Sequence, residues 1–319
     1  MKRAVFAAMV VLFGTIFAAA QDWPTKLVKI VVPFAAGATP DVIARLIADD
    51  LLTRLNQAFI VENRPGASGN TGTDAVAKAA PDGTTIGVSI GGPLAINTLL
   101  FSNLPYDPRK DLTLITLLVT QPSVLAVNTA LEVTDTRALI DVIRRDPGKY
   151  AFGSIGAGSL SHLAMEAIAL KSGTKLVHVP YPSSPQAVTA LLRNDVQMVC
   201  LPAISIMPQL RSGAIKVLAV STAERSPLLP DIPTLKAAGI DVEADAWNGL
   251  IAPAGIPKAM TARIGQLVGQ AVTTPVVRGK LAAQFMTPIS GTPAEFRTRI
   301  DSDIARWSPV IAVAKIKIE

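Results

Sequence analysis

A chain of 319 residues with a formal charge of +6, half of it apolar and 5% aromatic, has room for two lobes with separate cores built from Leu, Ile, Val and Ala. No basic run and no basic–aromatic interleaving marks a nucleic-acid face, so no nucleic-acid partner is expected. The one cysteine, Cys200, rules out an intramolecular disulfide, and its apolar neighbours make it a buried, inert thiol.

The first predicted element is an export signal. Lys2 and Arg3 precede an apolar run from Ala4 to Ala20. Ala18 and Ala20 give the small-x-small pattern of signal peptidase, so cleavage after Ala20 and an exported mature chain are expected. A membrane anchor is the competing reading, but the run is short for a bilayer span and no basic stop-transfer cluster follows. Residue 21 is Gln, not Cys, which argues against a lipid anchor. Losing Lys2 and Arg3 lowers the charge from +6 to +4, a weak bias toward anionic ligands.

Strands and helices then alternate, the pattern of an α/β fold. Lys29 to Val32 reads as a short buried strand. Thr39 is a good N-cap, Pro40 suits the first helical position, and Asp41 suits the first turn. Ile43, Leu46, Ile47, Leu51 and Leu55 give that helix an apolar face. Phe59 to Asn63 is a strand, and Arg64 to Asn70 a Gly-rich loop. A helix over about 72–80 and a turn at Pro81-Asp82-Gly83 follow. Thr85 to Ile90 is a third strand, ending at Gly91-Gly92-Pro93, where a ligand could approach the backbone. Strands are also expected at 124–127, 150–153, 176–179 and 216–220, and helices at 136–145, 159–171 and 186–192. Beyond Trp247 to Leu250 the chain reads as mainly helical.

Two strand–loop–helix units stand out. The first runs from Ile30 to Phe34, through Ala35-Ala36-Gly37-Ala38-Thr39, into the helix from Pro40. The second runs from Tyr150 to Gly153, through Ser154-Ile155-Gly156-Ala157-Gly158, into the helix from Ser159. Small residues let a ligand reach bare backbone N–H groups, and a helix N-terminus adds partial positive charge. The bland reading is an ordinary βα connection. Gly156-x-Gly158 lacks the third glycine and the later acidic residue of a dinucleotide fingerprint, and no Gly-Lys-Ser/Thr makes a P-loop. A helix terminus contributes about 0.3–1 kcal/mol to a bound anion, and a charge-assisted hydrogen bond about 1.5–3 kcal/mol. Micromolar binding needs roughly 8 kcal/mol. One loop falls short of that; two loops across a cleft reach it.

Catalysis finds little support. Of the two histidines, neither His162 nor His178 belongs to a metal-ligand spacing, and there is no nucleophile elbow. Ser159 and Ser161 near His162 suggest a nucleophile and base, but the set lacks an orienting group. Local hydrogen bonding that fixes the loop suits His162 better, and His178 reads as structural. No metal and no cofactor is expected.

Seven blocks in order carry a family resemblance: VPFAAGATPDVIAR (Val32 to Arg45), VENRPGASGNTGTDAVAKAAPDG (Val61 to Gly83), PYD (Pro105 to Asp107), FGSIGAGSLSHL (Phe152 to Leu163), HVPY (His178 to Tyr181), LPDIPTLKAAG (Leu229 to Gly239) and WNGLIAPAGIP (Trp247 to Pro257). The chain resembles the substrate-binding proteins of tripartite tricarboxylate transporters, the Bug or TctC type. The resemblance implies a type II periplasmic binding-protein fold, with two α/β lobes joined by two crossing segments around a ligand cleft. It divides the chain into a signal peptide (1–20), a first lobe (21–124 and 250–319) and a second lobe (125–249). It implies capture of a small organic carboxylate, a di- or tricarboxylate or an aromatic carboxylate, by a monomer that serves membrane permease subunits. A periplasmic sensor or adaptor with a signalling partner is the alternative.

The implied ligand contacts are Phe34, Ala36, Gly37, Ala38 and Asp41 in the first loop. Those in the second are Ser154, Gly156, Gly158, Ser159 and His162. Ser89 and Gly91 after the third strand, and Tyr181 in HVPY, complete the set. Three places depart from the family pattern. Ala38 stands for a second glycine, Pro182-Ser183-Ser184 for a basic residue and glycines, and Leu201 for an aspartate. If position 201 faces the pocket, the last departure disfavours a ligand with an ammonium group.

Overall fold

The computed structural model describes residues 23–318. The expected signal segment and its cleavage point lie outside them. From the N-terminal side the elements are β1 (Val28–Val32), α1 (Thr39–Leu55), β2 (Phe59–Asn63), α2 (Asn70–Ala77), β3 (Thr85–Ile90), α3 (Asn97–Leu100) and β4 (Leu112–Gln121). Then come β5 (Ser123–Asn128), α4 (Thr136–Arg145), β6 (Ala151–Ser154), α5 (Leu160–Lys171), β7 (Val177–Pro180), α6 (Ser184–Leu192), β8 (Met198–Pro202), α7 (Ala203–Ile206) and β9 (Ile215–Val220). The chain ends with β10 (Ala246–Pro253), α8 (Lys258–Thr273), α9 (Pro275–Ala282), β11 (Thr287–Pro288) and α10 (Pro293–Ala314).

The strands form two sheets with one plan. The first has the order β2-β1-β3-β10-β4-β11, the second β7-β6-β8-β5-β9. In each, the first three strands are parallel and the fourth runs antiparallel. The fourth strands are the ones that cross: β5 follows β4 through Pro122, and β10 brings the chain back from the second sheet. Ligands of such sheets collect at the carboxyl ends of the parallel strands. In this chain those are the ends of β1 and β6, where the two loops begin.

Local sequence explains the supporting helices. Ile43, Ala44, Ile47, Ala48 and Leu51 bury one face of α1 against β1 and β3. Asn56, at φ 51°, ends it in the left-handed region. Asp135 caps α4 by accepting from the Ala138 N–H at 2.9 Å. A capping box of Thr292 and Glu295 starts α10.

Helix α10 ties the two halves together. Its Phe296 and Ile300 pack with Trp247 and Leu117 on the first sheet. Its Trp307, Val310 and Ile311 enter the core of the second, beside Phe152 and Leu163. Leu100 of α3 joins that same core. Between them, Arg299 meets Asp245 (2.7 Å) and Asp303 (3.3 Å), and Arg306 meets Glu243 (2.9 Å). Trp247 donates its indole N–H to Asp303 at 2.7 Å. Buried charges persist only when paired, and these pairs surround the chain's return into β10.

Besides the two-residue β11, three strands depart from the sequence reading. β4 and β8 were not anticipated, and β10 lies in the stretch read as leading into helices. All three are largely buried on both faces, so their sequences run apolar without the alternation that marks a half-exposed strand.

Candidate functional site

The two loops superpose in logic, residue by residue. Gly37 and Gly158 both have positive φ, +83° and +72°. The residues after them, Ala38 and Ser159, hold the N-cap position with φ/ψ of −68°/157° and −67°/158°. In each loop the N-cap N–H donates to the carbonyl three residues back, Ala38 to Ala35 and Ser159 to Gly156, both at 3.2 Å. In each, the glycine N–H donates to a side chain four residues on: Gly37 to Asp41 Oδ2 at 2.8 Å, Gly158 to His162 Nδ1 at 3.0 Å. A single device, a left-handed glycine locked by an acceptor in the first helical turn, shapes both.

The N-cap of α1 is Ala38, not Thr39. Thr39 is the first helical residue, and its hydroxyl donates toward Gln121 Oε1 at 3.4 Å, beside the crossing to β5. Ala38 has no side chain to offer, so the first turn relies on Asp41 for closure.

Asp41 is 2% exposed. Its carboxylate also accepts from Asn63 Nδ2 (2.9 Å) and Arg45 Nε (3.0 Å). Burial pushes this carboxyl up, but Arg45, the Gly37 N–H and Asn63 together hold it below the ordinary value. Named from sequence as a ligand contact, Asp41 has its carboxylate directed at the loop's own backbone. Asn63 also donates to the Phe34 carbonyl at 3.0 Å, which fastens the other end of the loop.

The second loop is held without charge. Ser154 is fully buried; its Oγ accepts from the Gly156 N–H (3.2 Å) and lies 2.6 Å from His178 Nε2. Ser161 Oγ accepts from the Ile155 N–H at 3.0 Å. Ser159 Oγ donates to the Gly156 carbonyl (2.7 Å) and accepts from the His162 N–H (3.3 Å). His162 and His178 stack face to face, 3.7 Å between centroids, with Phe152 continuing the stack. Because Gly158 donates to Nδ1, His162 carries its proton on Nε2, which faces Glu166 at 3.6 Å. Burial, then the neighbouring His162, lowers the His178 pKa from 6.5 to about 4.

This accounting leaves matched donors. The N–H groups of Ala36 and Thr39 in the first loop make no hydrogen bond with another described residue, and neither do those of Ala157 and Leu160 in the second. Ala36 and Ala157 are both exposed. The N–H groups of Gly37, Ala38, Gly156, Gly158 and Ser159 are engaged within the loops. Backbone donors thus remain at one equivalent position before each glycine and one after each cap.

The other named residues lie around these loops. The Phe34 ring packs on Gly69, which Pro93 also covers. Ser89 is 1% exposed and bonded to Thr73 at 3.2 Å, its hydroxyl turned inward. Gly91 lies under Trp247, where a Cβ would sit 3.1 Å from the ring. Tyr181 covers Gly153 and donates its N–H to the Ser154 carbonyl at 2.9 Å. Sequence reasoning missed His178, Ser161 and Asn63 as loop anchors. The sequence marked His178 only as a structural residue at a strand end.

The profile of the Tripartite tricarboxylate transporter family receptor matches residues 43–316. The chain belongs to this family. BugT of Bordetella pertussis is 32% identical over 302 residues, spanning 94% of this chain and 93% of BugT. Among solved structures, Rpa4515 of R. palustris with adipate is 33% identical with a TM-score of 0.81, covering 93% of this chain and 99% of that one. MatC from Rhodopseudomonas palustris with bound malate is 30% identical with a TM-score of 0.76, covering 91% and 100%. The fold is accordingly the two-lobed periplasmic binding-protein fold.

Within this receptor family, the three departures read from sequence take physical form. Ala38 serves as an N-cap with no side-chain hydrogen bond. Ser183 and Pro185 begin α6, with Ser183 Oγ on Gln186 at 3.2 Å. Leu201 is fully buried with Val124 and Val199 on the face of the second sheet that carries α6 and α7. It faces core rather than an open pocket, so the condition that would have disfavoured an ammonium group is not met. Cys200 is buried on the opposite face, and burial pushes its thiol up to about 12. No described helix is long and apolar enough to cross a membrane.

Proposed function

We propose that this receptor-family chain is an exported, non-catalytic solute-binding protein that captures a small organic carboxylate. The observation that carries the reading is the duplicated donor pair: Ala36 and Thr39 on one loop, Ala157 and Leu160 on its counterpart. Each pair lies at a helix N-terminus, where anionic oxygens are favoured. A ligand with an oxygen-rich end would take these N–H groups together with ordered water. The relatives solved with adipate and with malate support this ligand class.

Ser154 and His178 form a close serine–histidine contact, yet Ser154 is fully buried, which speaks against a nucleophile. Closure would move residues 123–245 against 23–121 and 246–318 about the two crossings at Pro122 and Asp245. The loaded monomer would then deliver its ligand to permease subunits of a tripartite transporter. Ligand binding stabilises the closed form only by the difference in its affinity for the two forms.

A thermal-shift series with adipate, malate, citrate and benzoate, with chelator present, tests the reading. At a hundredfold excess over Kd, linkage stabilises by about 2.7 kcal/mol, a rise of roughly 5–10 °C for a chain of this size. If none of these anions raises the melting temperature, carboxylate capture is rejected.

A further inference from the structure

The only two imidazoles of the chain, separated by 15 intervening residues, lie one upon the other behind the second loop. Both reach the loop through single ring nitrogens: His162 Nδ1 accepts the Gly158 N–H, and His178 Nε2 meets Ser154 Oγ. Ser154 Oγ in turn accepts the Gly156 N–H. The two glycines bracket Ala157, the exposed residue whose N–H is unengaged. We propose that His162 and His178 are positioning residues for ligand binding, and that protonation of the stacked pair loosens the second loop and releases the ligand. The inference rests on the carboxylate reading for its ligand.

The chemistry follows from the contacts. A proton added at His162 Nδ1 removes the acceptor of the Gly158 N–H, leaving two donors face to face. A proton added to His178 places a positive charge against a ring 3.7 Å away. Either event disturbs the loop that aims Ala157. The titratable groups facing the rings are each other and Glu166, which lies 3.6 Å from His162 Nε2 and on the stack's α5 side. Glu166 favours charge on His178, while burial and the neighbouring ring oppose it. Histidine is the side chain whose ordinary pKa lies nearest neutrality, and all histidine of this protein is in this pair. The first loop has no counterpart: its anchor, Asp41, is already ionised at neutral pH and held there by Arg45.

The experiment is calorimetric titration of the mature chain with adipate at pH 7 and pH 4, for the unsubstituted protein and for His178→Gln and His162→Asn. Gln keeps a polar atom near the Nε2 position and Asn an acceptor near Nδ1, and neither titrates. The loss of affinity between the two pH values is expected to be about tenfold greater in the unsubstituted protein than in at least one of the variants. Comparing losses cancels the ligand's own protonation. Equal losses in all three proteins overturn the proposal. If adipate binds to none of them at pH 7, adipate is excluded as the ligand, and the pair is judged on the loop alone. The Gly156 and Gly158 amide resonances of the ligand-free protein should then move with the imidazole titration. Amides that stay fixed while the imidazoles titrate also overturn it.

Discussion

Loop 34–41 and loop 155–162 share their backbone but differ in what holds it. A charged carboxylate locks the first through Gly37, with Arg45 and Asn63 behind it. An imidazole locks the second through Gly158, with three serines and a second imidazole behind it. The glycine in the left-handed region and an acceptor four residues later are common to both. The nature of the acceptor is not. The loop conformation therefore constrains geometry, and the anchor sets how each loop answers to acid and to substitution.

The glycines break the comparison most strongly. A Cβ at Gly158 would lie 2.5 Å from Leu100 Cδ1 and 2.6 Å from Ile318 Cδ1, whereas one at Gly37 meets nothing within 4 Å. Gly158→Ala should combine left-handed strain with displacement of these two methyl ends and cost about 2–3 kcal/mol. Gly37→Ala should cost only the strain, about 1 kcal/mol. Urea unfolding of both variants checks the ratio, and equal costs would mean the second loop yields freely.

Asp41→Ala should cost about 2 kcal/mol, since the Gly37 N–H and the Asn63 amide lose a buried charged partner while Arg45 returns to water. The cost has a pH signature. With the folded pKa below the ordinary 3.8, the carboxylate's contribution is complete above about pH 4. It fades as pH falls through the folded value. Melting curves of the two proteins should converge in strong acid.

Ser159→Ala should cost about 1 kcal/mol, the usual loss for a cap, or roughly 2–4 °C. The hydroxyl is engaged with Gly156 and His162, so any loss of ligand affinity should come with this loss of stability. Reduced affinity at unchanged melting temperature would assign the hydroxyl to the ligand instead.

The last effect is one of pH and concerns His178. Its folded pKa is lowered from 6.5 to about 4, so between those values the unfolded chain holds a proton that the folded chain lacks. Stability should therefore decline as pH falls from about 6.5 to about 4, and level off below. His178→Gln should flatten that stretch. Acid sensitivity above pH 4 thus belongs to the second loop, and below pH 4 to the first.

Much of this was legible in the sequence. Helix 136–145 carries a clear periodic face, and strand 59–63 is bounded by turn signals, so both were placed to the residue. Both loops were found because small residues sit between a strand and a helix start. Other features were hidden for physical reasons. Strands β4, β8 and β10 are buried on both faces and lack alternation. Asp41 at the first turn suits a helix dipole, a ligand or a loop anchor equally, and only the fold shows which atoms face it. Ser89 sits at a strand end, but register turns its hydroxyl to Thr73. The His162–His178 stack depends on β7 lying beside β6, a pairing no local pattern states.

The most direct test of the paired loops is an amide chemical-shift map of the mature chain titrated with adipate. The Ala36 and Ala157 N–H resonances should both move as the ligand saturates, with the same midpoint, as expected when one ligand meets equivalent donors on two loops. A map in which a bound ligand leaves either amide unmoved would contradict the account.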